Sequence, residues 1–277
     1  IKNKILQMSP RAVFSRYLTY IVWKKSEVFF LNIYKGPESV AYYGLGYELA
    51  QRFMQIIESP VGDLQNITGI EIFNKNPSKY PDFLERINKF FCVIYMPLGF
   101  IAFFSSDIFI PILFGDNMQS SSIVFKIMII VFFIPICSSH CNAMIYALEK
   151  WNIMIIVQSL SAIINVSLGL FLIPKYGIDG ALFASSLSII LIPLFFTLYF
   201  YKDFGNVIPF YNIVKAFFAS LPSGLLIYSY QKSTLFTIPV DKLLYSGIID
   251  LMILGIISLL GILIYLVLIS KFKIFDD

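Results

Sequence analysis

Apolar residues occur along this chain in long runs, and short polar segments separate one run from the next. A helix needs about 20 apolar residues to cross the hydrocarbon core of a bilayer. We therefore predict an all-α fold, a polytopic membrane helix bundle with about eight transmembrane helices. The predicted spans are residues 13–34, 40–57, 90–104, 122–148, 153–173, 181–200, 211–230 and 243–269.

The second run differs from the others because polar residues recur within it at helical spacing. These residues are Glu48, Gln51, Arg52, Gln55, Ser59 and Gly62. The spacing predicts that they share one face of a helix. A charged side chain at the bilayer centre costs about 2.5–3.5 kcal/mol on insertion scales, so this face should point at other helices or at water.

The first and last runs also contain charged residues. Lys24, Lys25 and Glu27 lie in the first run, and Asp250 lies in the last. Charges within a membrane often mark transport pathways or ion sites. Glu27 and Asp250 are therefore candidates for binding a coupling proton or cation, with a helix-packing role as the alternative.

Polar segments between the runs predict the connections. Residues 74–89 are rich in charged and amide side chains, and we expect them to form a loop and the entry to the third span. Residues 107–119 predict a short connection and residues 201–210 a loop. Pro97 and Gly99 are expected to interrupt the third span.

The composition and the charge distribution also indicate a membrane protein. Of 277 residues, 58% are hydrophobic, and the formal net charge is only +4. No basic segment is interleaved with aromatic residues, so we expect the lipid bilayer as a partner and no nucleic acid.

Segments on the side of the termini hold eleven Lys and Arg residues, and the opposite loops hold four. Because cytoplasmic loops carry the excess of Lys and Arg, both termini of this segment are predicted to be cytoplasmic, with the protein in the cell (cytoplasmic) membrane.

One group of metal-binding residue types occurs in the chain. Cys137, His140 and Cys141 lie close together in the sequence. A structural zinc site usually needs four ligands, and the chain has no second cluster of such residues. We expect these side chains to lie at a helix contact and predict no metal site.

Three stretches of the chain resemble motifs of a known transporter family. Residues 40–50 read Val-Ala-Tyr-Tyr-Gly-Leu-Gly-Tyr-Glu-Leu-Ala, and residues 112–115 read Ile-Leu-Phe-Gly. Asn165 is followed at residues 172–181 by Leu-Ile-Pro-Lys-Tyr-Gly-Ile-Asp-Gly-Ala. In this order they resemble the polysaccharide and O-antigen (lipid-linked oligosaccharide) flippases of the multidrug/oligosaccharidyl-lipid/polysaccharide exporter (MOP) superfamily.

The resemblance implies that residues 1–277 form a single transmembrane domain that is a fragment of a longer protein. It would correspond to helices seven to fourteen of a fourteen-helix transporter. Residues 13–200 would form the C-terminal lobe of six helices, and residues 211–270 two additional helices. The missing N-terminal lobe would be a partner of this lobe. Glu48 is a departure, because the family often has a basic residue there.

The resemblance also implies a function. A flippase of this kind translocates lipid-linked oligosaccharide or polysaccharide precursors by alternating access, without a cofactor and without covalent chemistry. Its cavity must hold a polar, usually anionic headgroup, and the fork of an Arg side chain suits a phosphate. The candidate substrate-binding residues are Arg52, Gln51, Gln55, Glu48, Lys24 and Lys25.

Other interpretations remain open at this stage. Glu48 and Arg52 are four residues apart, so they could simply form an ion pair, and the lysines could snorkel to the membrane interface. A cation-coupled multidrug or small-molecule exporter of the same superfamily would use Glu27 or Asp250 for coupling. A membrane glycosyltransferase or polymerase would need a catalytic constellation that the loops lack, so we do not expect an enzyme.

Overall fold

The computed structural model describes residues 26–137, 144, 145, 148, 150–233 and 243–272. These residues form helices and short connections and contain no strand, so the predicted all-α bundle is confirmed. In chain order the helices of the described residues are α1 (Ser26–Lys35), α2 (Pro37–Lys75), α3 (Tyr80–Phe114), α4 (Ser120–Cys137), α5 (Trp151–Tyr176), α6 (Ile178–Phe204), α7 (Phe210–Lys232) and α8 (Leu243–Lys271).

Several of these helices can cross a membrane. Within the described residues, five helical segments are long and apolar enough, namely Pro77–Phe114, Trp151–Tyr176, Ile178–Phe204, Phe210–Lys232 and Gly247–Lys271. A sixth segment, Ser120–Ile136, is apolar but shorter. The chain is therefore a multi-pass membrane protein, and the count of eight spans stays a prediction.

The predicted loop at residues 74–89 is wrong. α2 continues to Lys75, a single 3-10 turn follows, and α3 begins at Tyr80. Tyr80 and Leu84 are fully buried on one side of the new helix, whereas Glu85 and Arg86 are exposed on the other. Glu85 and Arg86 thus lie on the solvent-facing side of an amphipathic helix and not in a loop.

The predictions for the rest of α3 and for the end of α6 were also wrong. α3 runs through Pro97 and Gly99 without interruption and ends at Phe114, so most of the predicted connection at residues 107–119 is helical. α6 extends to Phe204, which leaves only residues 205–209 as the connection. Flanking turns and tertiary packing hold these segments helical despite the proline and the polar residues.

All of α1 to α6 contribute to one apolar core. Each helix supplies at least one buried side chain to it, and examples in helix order are Leu31, Tyr47, Phe91, Phe132, Ile173 and Ile189. In α2 the buried residues Tyr43, Tyr47, Ala50, Met54 and Ile57 recur every three or four positions. This spacing buries one face of α2 and leaves the opposite face uncovered.

Two of the motif glycines allow helices to approach closely. A Cβ at Gly46 in α2 would lie 2.5 Å from the backbone oxygen of Ser121 in α4. A Cβ at Gly180 would lie 2.6 Å from the backbone oxygen of Leu172, inside the α5–α6 hairpin. The turn of that hairpin is at Gly177, whose φ of 59° is rarely adopted by other residues.

α7 and α8 pack against α3 and against each other. Val93 and Met96 of α3 share a buried cluster with Ala216 of α7 and with Tyr265 of α8. The Tyr265 hydroxyl donates a hydrogen bond to the Val93 carbonyl oxygen over 2.5 Å. These contacts attach the last two helices to the rest of the chain through α3.

Candidate functional site

The exposed face of α2 carries polar and charged side chains. Glu48, Arg52, Gln55 and Ser59 are all exposed on it. The side chain of Arg52 is 68% exposed and that of Glu48 is 49% exposed. Arg52 Nε and Glu48 Oε2 are 3.9 Å apart, which is the limit of an ion pair, so the guanidinium keeps most of its hydrogen-bonding capacity.

Gln51 lies at the edge of this face and is buried, with 5% of its surface exposed. Its Oε1 atom accepts no hydrogen bond within the part of the chain that the structure describes. A buried amide oxygen without a donor is unfavourable. Gln51 therefore differs from its neighbours Arg52 and Gln55, which face outward.

A second polar site joins α1 to α5 inside the core. Glu27 is 2% exposed, and its Oε1 accepts a hydrogen bond of 2.6 Å from Asn165 Nδ2. Its Oε2 lies 3.0 Å from Ser26 Oγ, which can donate to it. Asn165 is 1% exposed, so it faces other helices and not the surface.

The surroundings of Glu27 are unusual for a carboxylate. No Lys or Arg of the described residues forms an ion pair with it. Tyr43 and Tyr47 of α2 are buried and close enough to Glu27 to interact with it electrostatically. The Tyr47 hydroxyl makes no hydrogen bond with the described residues. A buried carboxylate surrounded by hydroxyl and amide groups can bind a proton or a small cation.

Asp250, the other predicted ion-coupling residue, lies elsewhere. It is in α8 and accepts a hydrogen bond of 2.8 Å from the Tyr230 hydroxyl of α7. The structure does not bring Asp250 together with Glu27. Lys24 and Lys25 lie outside the described residues.

The structure contains a charged pair that the analysis of the sequence did not identify. Lys126 of α4 forms an ion pair with Asp107 of α3, and its ammonium also lies 5.6 Å from the centre of the Phe103 ring. The signal was present, because Lys126 is a cation inside an apolar run. The argument from intramembrane charge would have found Lys126, but not its partner Asp107.

The prediction that Cys137, His140 and Cys141 form no metal site stays a prediction. The described residues contain no group of three or more His, Cys, Asp and Glu side chains that could hold a metal ion. The side chains of Cys137, His140 and Cys141 lie outside the described part.

Comparisons with known proteins agree with the fold and the motifs. Residues 2–124 match the family model described as "Polysaccharide biosynthesis protein". No curated protein matches the chain.

Two solved structures share the fold. One is a MOP superfamily transporter from Pyrococcus furiosus, for which a reversed polarity of the binding pocket is reported to suggest a different function. Its sequence is 18% identical to this chain, and the TM-score is 0.56. The other is an outward-facing multidrug resistance MATE family transporter of the MOP superfamily, 14% identical, with a TM-score of 0.58. Each alignment covers 94% of this chain and 62% of the solved chain, so the protein spans less than two thirds of either structure. The family match over residues 2–124 agrees with the predicted resemblance to polysaccharide exporters, and the two solved structures share the fold of this chain.

Proposed function

We propose that this chain is a member of the MOP exporter superfamily and forms the C-terminal lobe, with two further helices, of a transporter for lipid-linked oligosaccharide or polysaccharide precursors. Residues 13–200 would form the lobe and residues 211–270 the further helices. Transport across the cytoplasmic membrane would proceed by alternating access, with both termini of this segment cytoplasmic. The missing N-terminal lobe would supply the opposite wall of the cavity.

The exposed charged face of α2 is the observation that carries this proposal. Glu48 and Arg52 are exposed, yet α2 is packed among helices of a membrane protein. A charge there is costly against lipid, so the face is suited to a water-filled cavity. A cavity wall that contains Arg52 and Gln55 can donate hydrogen bonds to a phosphate and to sugar hydroxyls.

The family match favours a glycan substrate over a drug. It covers α1 to α3 of the described chain and extends into α4, and therefore includes the whole polar face of α2. Lys24 and Lys25 lie just before α1 in the same matched region. We propose that they extend the cationic part of the cavity wall.

The test is glycan export by the full-length protein in cells. Arg52→Ala should reduce export by about tenfold, because a charge-assisted hydrogen bond is worth about 1.5–3 kcal/mol. Arg52→Lys should keep part of the export activity, because Lys retains the positive charge but lacks the planar guanidinium that donates two parallel hydrogen bonds. Lys202→Ala is the matched control, since Lys202 is an exposed cation at the end of α6. Undiminished export by Arg52→Ala at normal protein levels would contradict the role.

A second candidate function is a cation-coupled multidrug or small-molecule exporter. The observation that favours it is Glu27, a buried carboxylate without an ion-pair partner among the described residues. We propose Glu27 before Asp250 as the coupling residue, because Glu27 is buried in the core, whereas Asp250 is only partly buried.

Proteoliposomes that contain the full-length protein separate the two functions. Movement of a lipid-linked sugar without drug efflux favours the flippase, and drug efflux driven by a proton or sodium gradient favours the exporter. Glu27→Gln keeps an amide that can pair with Asn165 but removes the charge. Under the second function it should abolish gradient dependence, whereas Asp250→Asn should not.

A further inference from the structure

A cavity that is separate from the polar face of α2 lies at one end of the bundle. Its volume is about 410 Å³. The α1–α2 turn, the α5–α6 turn and the start of α4 contribute residues to it. Its lining includes the charged residues Lys35, Lys175 and Asp179 and the serines Ser39 and Ser120.

Two cations from different turns line this end cavity. Lys35 ends α1 and Lys175 lies in the last turn of α5. The stem of Lys35 packs over Gly177, with its Cε 3.4 Å from where a Cβ of that glycine would lie. Neither lysine forms an ion pair with the described residues, and the one carboxylate in the lining is Asp179. The cavity therefore has an excess of one positive charge.

Hydrogen-bond donors are also present in this lining. α2 and α6 begin after Gly36 and Gly177, and neither helix has a side-chain cap on its first N–H groups. The Ser39 and Ser120 hydroxyls add two donors that can rotate towards a ligand. Ammonium groups, hydroxyls and free N–H groups are the donors that bind phosphate in proteins.

Two large, exposed hydrophobic side chains complete the lining of the cavity. Ile123 of α4 is 59% exposed and Tyr176 of α5 is 62% exposed, and both line it. A phosphate whose ester carries an apolar chain can place its charge on the lysines and its chain along these side chains. A free phosphate would leave this apolar surface uncovered.

We propose that the end cavity binds the phosphate headgroup of an anionic lipid, with Lys35 and Lys175 as its charged ligands. This site is separate from the polar face of α2, and it does not depend on the proposed transport function.

The test is lipid retention by the purified full-length transporter, measured by native mass spectrometry. The probes are phosphatidylglycerol, the zwitterionic lipid phosphatidylcholine and inorganic phosphate. The wild type should retain phosphatidylglycerol in preference to phosphatidylcholine. Lys35→Gln/Lys175→Gln should weaken phosphatidylglycerol retention about tenfold, the amount expected for lost charge-assisted hydrogen bonds. Binding of inorganic phosphate with no preference among the lipids would contradict the lipid assignment.

Three further variants exclude a general effect on stability. Lys35→Arg/Lys175→Arg should retain the lipid, because the charge is kept. Lys232→Gln removes an exposed cation from the last turn of α7 and should change retention less than twofold. Asp179→Asn removes the one opposing charge from the lining and should strengthen retention, an effect that destabilisation cannot produce. Equal retention by the wild type, the double Gln variant and Asp179→Asn would overturn the proposal.

Discussion

Asn165 of α5 donates a 2.6 Å hydrogen bond to the carboxylate of Glu27 in α1, and both side chains are buried. The bond joins two helices through residues that are 138 positions apart in sequence. It places a motif residue of the α5–α6 hairpin region beside a candidate coupling group. Asn165 is therefore a positioning residue for Glu27 as well as a packing residue.

We predict that Asn165→Leu destabilises the protein by about 1–3 kcal/mol or more, because it leaves a buried carboxylate with one donor fewer. The measurement is the thermal unfolding of the purified full-length protein in detergent. Asn152→Leu, at an exposed amide in the first turn of the same helix, should have little effect. If the destabilisation by Asn165→Leu is unchanged in a Glu27→Leu background, the two side chains are not coupled.

The polar face of α2 shows what the sequence predicts well. Glu48, Arg52 and Gln55 were expected to share one face of a helix, and they lie together on the uncovered side of α2. Helical spacing and the cost of an intramembrane charge are local properties, so one sequence suffices to find such a face. Gln51 is one position from Arg52 and is buried, because the border of the face depends on how α2 packs against its neighbours.

Other features depend on tertiary structure and could not be predicted in this way. The polar segment before residue 90 is helical because Tyr80 and Leu84 pack into a cluster with Phe196 and Phe200 of α6. The pair formed by Asp107 and Lys126 requires a particular register between α3 and α4. Nothing in a single sequence fixes that register.

Gly46 gives a second prediction. Gly46→Ala should destabilise the protein, because the new Cβ would lie 2.5 Å from the Ser121 oxygen and 2.7 Å from the Val124 Cβ. Gly44→Ala is the matched control two residues away, where a Cβ meets nothing within 4 Å. That control should be neutral or stabilising by up to about 1 kcal/mol, because Ala favours a helix interior over Gly. Thermal unfolding of both variants checks the α2–α4 contact, and equal midpoints would contradict it.

Tyr265 tests the attachment of α8 to α3. Tyr265→Phe removes the hydroxyl that donates to the Val93 carbonyl oxygen and should cost about 0.5–1.5 kcal/mol. Tyr228→Phe, at a half-exposed tyrosine of α7, should cost less. Hydrogen exchange should show faster opening of α8 in the first variant, and unchanged exchange there would contradict the attachment.

The pair formed by Lys126 and Asp107 gives the last prediction. Asp107→Asn leaves the partly buried Lys126 ammonium without its counter-charge, so it should destabilise the protein by about 1–2 kcal/mol. This loss is smaller than for a fully buried pair, because both side chains keep some solvent exposure. Lys126→Met in the Asp107→Asn background should recover most of this loss, since no unpaired charge remains and an apolar side chain can pack against Phe103. Chemical unfolding of the wild type and the two variants measures the effect. If the double variant is less stable than Asp107→Asn alone, then Lys126 stabilises the protein through a contact other than the ion pair.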